Sequence, residues 1–287
     1  MTITVLSPGL ITTVQDLGRP GLAAVGVSAS GAFDRSALKL ANRLVGNYEN
    51  TAGLETLGSG LRIVSDTPQL MAITGATGDI FGATGHGGHN SPFVLPAQTP
   101  LEIGPRACGL RTYLSFRGGL AVEPILGSRS WDSLGRIGPE PLTAGSLLSV
   151  GTAAPEEPRI DIAPVPSPPS GAVTLTVDPG PRHHWFTSQS WEILASGKLS
   201  ISPESDRVGL RLIGGQLARS PAYAGRSLAS EGLVRGAIEV PPDGLPIILG
   251  VDHPTTGGYP VIAVIAAEEY DQCAQLTPGQ PVRLMLR

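Results

Sequence analysis

The residues best equipped for chemistry stand in two polar, glycine-rich runs near opposite ends of the chain. One is Thr12-Thr13-Val14-Gln15-Asp16-Leu17-Gly18-Arg19, continued by Ser30-Gly31-Ala32-Phe33-Asp34; the other is Pro241-Pro242-Asp243-Gly244, continued by Asp252-His253-Pro254-Thr255-Thr256-Gly257-Gly258-Tyr259-Pro260. In the second run Asp252 and His253 set a carboxylate beside an imidazole. Thr255, Thr256, Gly257, Gly258 and Tyr259 add hydroxyls and backbone N–H groups, a set able to hold and polarise a small planar polar substrate. The same residues would equally satisfy a tight turn, and both readings stand at this level. In the first run Gln15, Asp16 and Arg19 can fork onto an amide or a carboxylate, or Asp16 and Arg19 can pair across a turn. Ser128-Arg129-Ser130 offers two hydroxyls and a guanidinium, suited to an oxyanion or to a solvated turn, with Ser128 and Arg129 as the binding candidates. Glu231, in Ser230-Glu231-Gly232, is a candidate general base beside Asp252 and His253, whereas Ser205-Asp206-Arg207 reads as a structural ion pair.

Other chemistries find no support. His86-Gly87-Gly88-His89 spaces two imidazoles on a loop without a third ligand nearby, so no metal is expected. His183 and His184 read as packing or solvent-facing residues ahead of Trp185-Phe186, and Cys108 and Cys273 as buried thiols rather than a disulfide framework. Only Lys39 and Lys198 are lysines; neither lies in a phosphate-binding loop, follows a serine as a Ser-Lys amidase requires, or sits between methionines as a biotin-carrying lysine does. No cofactor is therefore expected on this chain. The net charge of -4 with scattered arginines argues against nucleic acid, and no apolar run approaches the length of a membrane span. Met1-Thr2-Ile3-Thr4-Val5 lacks a basic, apolar leader, so a cytoplasmic location is expected.

The elements that must carry these groups are short strands. Apolar β-branched stretches flank both runs, Ile3 to Leu6 and Val261 to Ile265, placing the polar residues where strands end on a scaffold. With Gly 38 and Pro 27 in 287 residues, tight turns are favoured over long helices, and the chain reads as mainly β. Further strands are expected at 61–64, 70–74, 101–103, 112–116, 173–177, 199–201, 210–213, 237–240, 247–249 and 282–286. Two helices stand out: one capped by Asp34 with Ala37, Leu38, Ala41, Leu44 and Val45 on one face, and one capped by Thr187 over Ser188 to Ser196. A shorter helix is expected from Ala267 to Gln275. Prolines 155, 158, 164, 166, 168 and 169 crowd a connector, dividing the chain into an N-terminal domain over 1–151, a connector over 152–170 and a C-terminal domain over 171–287. Leu142-Thr143-Ala144-Gly145-Ser146 and Leu276-Thr277-Pro278-Gly279-Gln280 echo each other as turns feeding a closing strand, and Leu95 to Leu101 has a similar shape.

Taken in order, the runs 12–19, 30–34, Ala41 to Asn47, Arg117-Gly118-Gly119-Leu120, 126–130, 205–211, 230–232 and Thr255 to Pro260 resemble the biotin-dependent carboxyltransferase family, also called allophanate hydrolase subunit 2 or KipA, along nearly the whole chain. The resemblance implies two cyclophilin-like β-barrel domains with a few short helices. It implies a KipI-like companion (allophanate hydrolase subunit 1) and, in stand-alone bacterial relatives, a LamB/YcsF-like third partner. Together these form an ATP-dependent 5-oxoprolinase, a hydrolase that opens pyroglutamate, a small lactam, to glutamate. ATP would be used by the complex, and this chain alone would be inactive. Two alternatives follow from the same resemblance: the carboxyltransferase component of a urea or related carboxylase, served by biotin in trans, or a KipA-type regulator that binds a KipI-like kinase inhibitor. Family members often carry a basic residue after the Gly-Gly-Tyr-Pro run; here Val261 stands there.

Overall fold

The computed structural model describes residues 1–82, 88–152, 155, 157–158 and 161–287. Its residues group into two compact units. The first comprises Met1–Arg19, Ser30–Asp132 and Arg136–Pro168; the second comprises Pro20–Ala29, Ser133–Gly135 and Pro169–Arg287. The short segments 20–29 and 133–135 thus pack with the second unit although both precede the Pro-rich connector.

The first unit contains β1 (Thr2–Pro8), β2 (Ile11–Gln15), α1 (Arg35–Leu44), β3 (Gly53–Leu57), β4 (Leu61–Ser65), β5 (Gln69–Phe81), β6 (Pro92–Leu95), β7 (Leu101–Phe116) and β8 (Leu147–Ser149). They form an eight-stranded sheet in the order β2-β3-β7-β4-β1-β8, with β5 pairing β6 and β7. Its inner face is apolar, with Ile3, Val5, Leu54, Ile63, Ile73 and Leu114 fully buried. The regions expected as separate strands at 101–103 and 112–116 are one strand, β7. It pairs with β5 through repeated register shifts around Gly75 to Ile80, and these bulges admit Pro105 and the intervening glycines. A Cβ at Gly78 would lie 2.2 Å from the Pro105 carbonyl, so the two strands approach this closely only because residue 78 has no side chain.

Strands β2, β3 and β6 are not expected from the sequence, and β2 shows why. Its polar residues Thr12, Thr13 and Gln15 are buried, and Thr12 Oγ1 donates to the Pro8 carbonyl and lies 2.9 Å from Thr56 Oγ1 on β3. Helix α1 forms as its pattern requires: the Asp34 carboxylate accepts from the Ala37 N–H at 2.8 Å, and Ala37, Leu38, Ala41 and Leu44 are buried along one side of the helix. The Ala41 to Asn47 motif proves to be a brace. Asn42 donates to the carbonyls of Glu49 and Thr51, while Asn47 donates to the Phe116 carbonyl and accepts from the Gly118 N–H, tying the helix exit to the end of β7.

In the second unit are β9 (Val173–Pro179), α2 (Ser188–Ala195), β10 (Leu199–Ile201), β11 (Gly209–Ile213), β12 (Glu231–Gly232), β13 (Ala237–Glu239), β14 (Ile247–Leu249), β15 (Thr256–Gly257), β16 (Val261–Ile265) and β17 (Pro281–Leu286). Seven of these close a barrel in the order β10-β11-β14-β13-β16-β9-β17, and β12 pairs β15 apart from it. Alternation drives the closure: Val173, Leu175 and Val177 on β9 and Val282 and Leu284 on β17 point inward and are buried. Thr187 caps α2 through the Ser190 N–H, as expected. The helix expected over 267–275 is shorter, a 3₁₀ segment from Tyr270 to Gln275; just ahead of it the Glu269 carboxylate accepts from the Thr176 N–H and hydroxyl of β9. Cys273, within this segment, is buried, and burial pushes its thiol up to about 12, while Cys108, expected as buried, is only half-buried.

The echoed sequences are matching turns. Thr143 N–H donates to Ser146 Oγ before β8, and Thr277 N–H donates to Gln280 Oε1 before β17, each with a left-handed glycine at the third position.

Candidate functional site

In the first unit, β2 ends at a buried carboxylate that gathers its surroundings. Asp16 Oδ1 accepts from Ser128 Oγ and Ser130 Oγ, both at 2.6 Å, and from the Gly18 N–H at 2.7 Å; Oδ2 accepts from the Arg129 N–H at 2.6 Å. Arg19, also buried, donates to the Ser130 carbonyl, and Arg129 Nε donates to the Val122 carbonyl. Gln15 is fully buried; its Nε2 donates to Thr13 Oγ1 and the Trp131 carbonyl, each at 3.0 Å, and its Oε1 has no protein partner. The expected fork of Gln15, Asp16 and Arg19 and the separate candidates Ser128 and Arg129 thus lie together, with Asp16 bonding the serine loop directly.

The adjoining 30–34 run is held from below by groups that sequence reading passes over. Glu55 Oε2 accepts from the Tyr113 hydroxyl at 2.8 Å and the Phe33 N–H at 2.9 Å, and Arg111 Nε lies 3.5 Å from Glu55 Oε1 with its guanidinium 4.6 Å from the Phe33 ring centroid. Burial, then the Glu55 and Asp34 charges, push the Tyr113 phenol well above its ordinary range, so it serves as a permanent donor to Glu55. The signal exists only in three dimensions, because Glu55 and Tyr113 lie on neighbouring strands β3 and β7.

In the second unit Asp252 is fully buried. Arg207 grips it with Nε to Oδ2 at 2.8 Å and Nη2 to Oδ1 at 3.1 Å, and Ser133 donates to Oδ2 from its N–H at 2.9 Å and its hydroxyl at 2.7 Å. The sequence suggests Asp252 as a catalytic carboxylate or as the anchor of a tight turn; in the structure its oxygens bond Arg207 and Ser133 at the start of the 252–260 loop. Arg207 correspondingly pairs with Asp252, and its neighbour Asp206 closes a turn by accepting from the N–H groups of Val208 and Gly209. Gly250 makes this approach possible, since a Cβ there would lie 2.1 Å from the Arg207 carbonyl. Half-buried His253 has its Nδ1 2.8 Å from the Pro254 carbonyl.

Thr256 and Gly257 form β15 against Glu231 and Gly232 of β12, so the candidate base and the threonine-glycine run share one strand pair. Glu231 Oε2 accepts from Arg182 at 2.6 Å. Below this pair, Glu239 Oε2 comes within 3.7 Å of where a Gly257 Cβ would lie, and burial raises its carboxyl above the ordinary 4.5 against the opposing pull of Arg211. A carboxyl raised in the folded state favours folding at low pH, below about 4.5, and loses that advantage as pH rises. Glu239→Gln is therefore expected to raise Tm at pH 7 relative to the parent chain, with the gain shrinking toward pH 4 in thermal unfolding series; a gain independent of pH would contradict the assignment. Val261 is buried against Leu233, Ala237 and Leu249, an apolar setting with no provision for the basic residue common at that position.

A cleft of about 840 Å³ opens beside the same loop, lined by residues 216–219, 224–228 and 240–244 with Gly258 and Tyr259. Tyr259 and Gly258 thus face open space, whereas Asp252 is not on the lining. Among the described residues no group of three His, Cys, Asp or Glu side chains could hold a metal; His86 lies outside them, and His89 has its Nε2 3.1 Å from both the N–H nitrogen and the carbonyl oxygen of Gly78.

The family model for the carboxyltransferase domain, subdomain A and B, matches residues 25–286. The chain belongs to this carboxyltransferase family. It is 33% identical over 292 residues to a 5-oxoprolinase subunit of Escherichia coli, covering 99% of this chain and 90% of the relative. Among solved structures it is similar to TTHA0988, with a TM-score of 0.88 and 31% identity, covering 99% of this chain and 56% of that one. It is also similar to urea amidolyase of K. lactis, with a TM-score of 0.91 and 30% identity, where it spans 99% of its own length and 18% of the larger protein. No described helix is long and apolar enough to cross a membrane.

Proposed function

We propose that this chain is the KipA-type subunit of an ATP-dependent 5-oxoprolinase that opens pyroglutamate to glutamate, working with a KipI-like and a LamB/YcsF-like partner. The observation that carries the reading is the match to the E. coli 5-oxoprolinase subunit across nearly the full length of both chains. Ring opening of a lactam needs its amide oxygen activated, here by phosphoryl transfer from ATP with ADP leaving; one water then adds at the carbonyl carbon as the C–N bond breaks, giving a free amine and an acyl phosphate, and a second water releases phosphate to leave the carboxylate. The chain has no phosphate-binding loop, so its part is to bind and orient the substrate, with ATP used elsewhere in the complex. The polar groups suited to that part are Tyr259 and Gly258 on the cleft lining, the exposed Thr256 on β15, and Glu231, whose Oε1 is buried without a protein partner.

A second reading, a carboxyltransferase acting on urea with biotin supplied in trans, is favoured by the TM-score of 0.91 to urea amidolyase. Both substrates present a planar amide to be polarised at oxygen, so one loop geometry serves either. Co-expression with the two companions separates the readings. The complex is expected to release glutamate from 5-oxoproline only with ATP, and the isolated chain to release none; turnover by the isolated chain, or a complex that carboxylates urea and leaves 5-oxoproline intact, would refute the first reading.

A further inference from the structure

The cleft beside Tyr259 is lined by two arginines that have no ion-pair partner among the described residues. Trp185 is buried, and Tyr223 stacks on it with ring centroids 5.0 Å apart and planes 14° from parallel. Around this aromatic pair stand three guanidinium groups, with Arg182, Arg219 and Arg226 at 6.0, 5.8 and 5.5 Å from the Trp185 centroid. Arg182 is neutralised by Glu231. Among the described residues neither Arg219 nor Arg226 has an ion-pair partner, and both line the cleft. Arg219 Nη1 donates to the Arg226 carbonyl at 2.8 Å, which couples the Arg219 side chain to the Arg226 backbone.

Two like charges gathered on one aromatic platform repel each other in the free protein and are relieved by an anion. Guanidinium groups within about 6 Å of a ring centroid are held there by cation–π attraction, and a guanidinium carries five N–H donors suited to a carboxylate. Asp243, the carboxylate on the lining, is exposed and accepts from the Leu245 N–H through Oδ1. Leu217 and Leu228 supply an apolar surface, and Tyr259 a hydroxyl and a ring. About 840 Å³ falls in the range of small-molecule sites.

We propose that this cleft is an anion subsite in which Arg219 and Arg226, set on Trp185 and Tyr223, bind the carboxylate of a small planar substrate. The identity of that substrate as 5-oxoproline rests on the 5-oxoprolinase reading; the subsite itself does not. Under that reading the pair selects an anionic lactam over neutral urea, a distinction the threonine-glycine loop alone cannot make.

Isothermal titration calorimetry on the full chain tests this with 5-oxoproline, its neutral analogue 2-pyrrolidinone, urea and acetate. Saturable binding of 5-oxoproline is expected, with no heat from 2-pyrrolidinone or urea at the same concentration. Arg219→Gln and Arg226→Gln should each weaken binding at least tenfold with unchanged circular dichroism, and Arg226→Lys, which keeps the charge and loses the fork, should fall between. Binding of acetate that depends on these arginines, without binding of 5-oxoproline, would uphold the subsite and sink the 5-oxoprolinase reading. Equal affinity for 2-pyrrolidinone, unaltered affinity in folded arginine variants, or no binding of any carboxylate would overturn the subsite.

Discussion

Asp252→Ala lowers the stability of the chain by about 3–5 kcal/mol, because it strands Arg207 as a buried charge without its carboxylate. Both nitrogens of Arg207 that face Asp252 lose their acceptor, and the N–H and hydroxyl of Ser133 lose theirs. The cost lies in breaking the pair rather than in the pair's net worth, since desolvating two charges consumes much of their attraction. For a chain of this size the corresponding fall in Tm is roughly 6–20 °C. Activity of the assembled complex should fall in step with stability, as the 252–260 loop loses its anchor. Replacing both partners by apolar residues, Arg207→Met with Asp252→Leu, should recover much of the lost stability, which identifies the stranded charge as the cause. The test is a double-mutant cycle by denaturant unfolding. A folded Asp252→Ala chain with parental Tm and much-reduced turnover would instead return Asp252 to the chemistry.

Asp252 marks the limit of what the sequence alone makes legible. The acid-imidazole-hydroxyl pattern around Asp252 is legible as polar density, but the same pattern is what a buried anchor needs, and only the position of Arg207, 45 residues away in the chain, tells them apart. The helices are legible because capping and 3.6-residue periodicity are local: Asp34 and Thr187 each bond an N–H three residues on. Barrel strands with alternating Val, Ile and Leu are equally plain. Strand β2 is not, because its buried face is threonine and glutamine satisfied by cross-strand and loop partners, which in one dimension looks like a solvated loop. The Arg219 and Arg226 pair is invisible for a related reason. Scattered arginines make no stripe in sequence, and the indole that gathers them precedes both by more than a full helix and strand.

Asp16→Ala is expected to be comparably damaging in the first unit, and it separates scaffold from site at the Gln15 to Arg19 run. The carboxylate is the common acceptor for Ser128 Oγ, Ser130 Oγ and the N–H groups of Gly18 and Arg129. Hydroxyls can rotate toward other acceptors, but the two part-buried N–H groups cannot, and an orphaned donor costs about 1 kcal/mol, rising to about 3 where burial is complete. A loss of roughly 3–5 kcal/mol follows once the weakened charge-assisted contacts are included. Gln15→Ala provides the contrast. It removes an oxygen that already lacks a partner, and the Trp131 carbonyl it leaves behind still accepts from Ser30 Oγ at 3.2 Å, so stability should change by no more than about 1.5 kcal/mol. If the run is scaffold, unfolding curves will show a large shift for Asp16→Ala, a small one for Gln15→Ala, and complex turnover that follows them. If Gln15 orients the substrate amide, the folded Gln15→Ala complex will lose about a hundredfold or more in rate, the cost of one oriented group at a transition state. An Asp16→Ala chain with unchanged Tm would remove the carboxylate from its place as the structural hub of this unit.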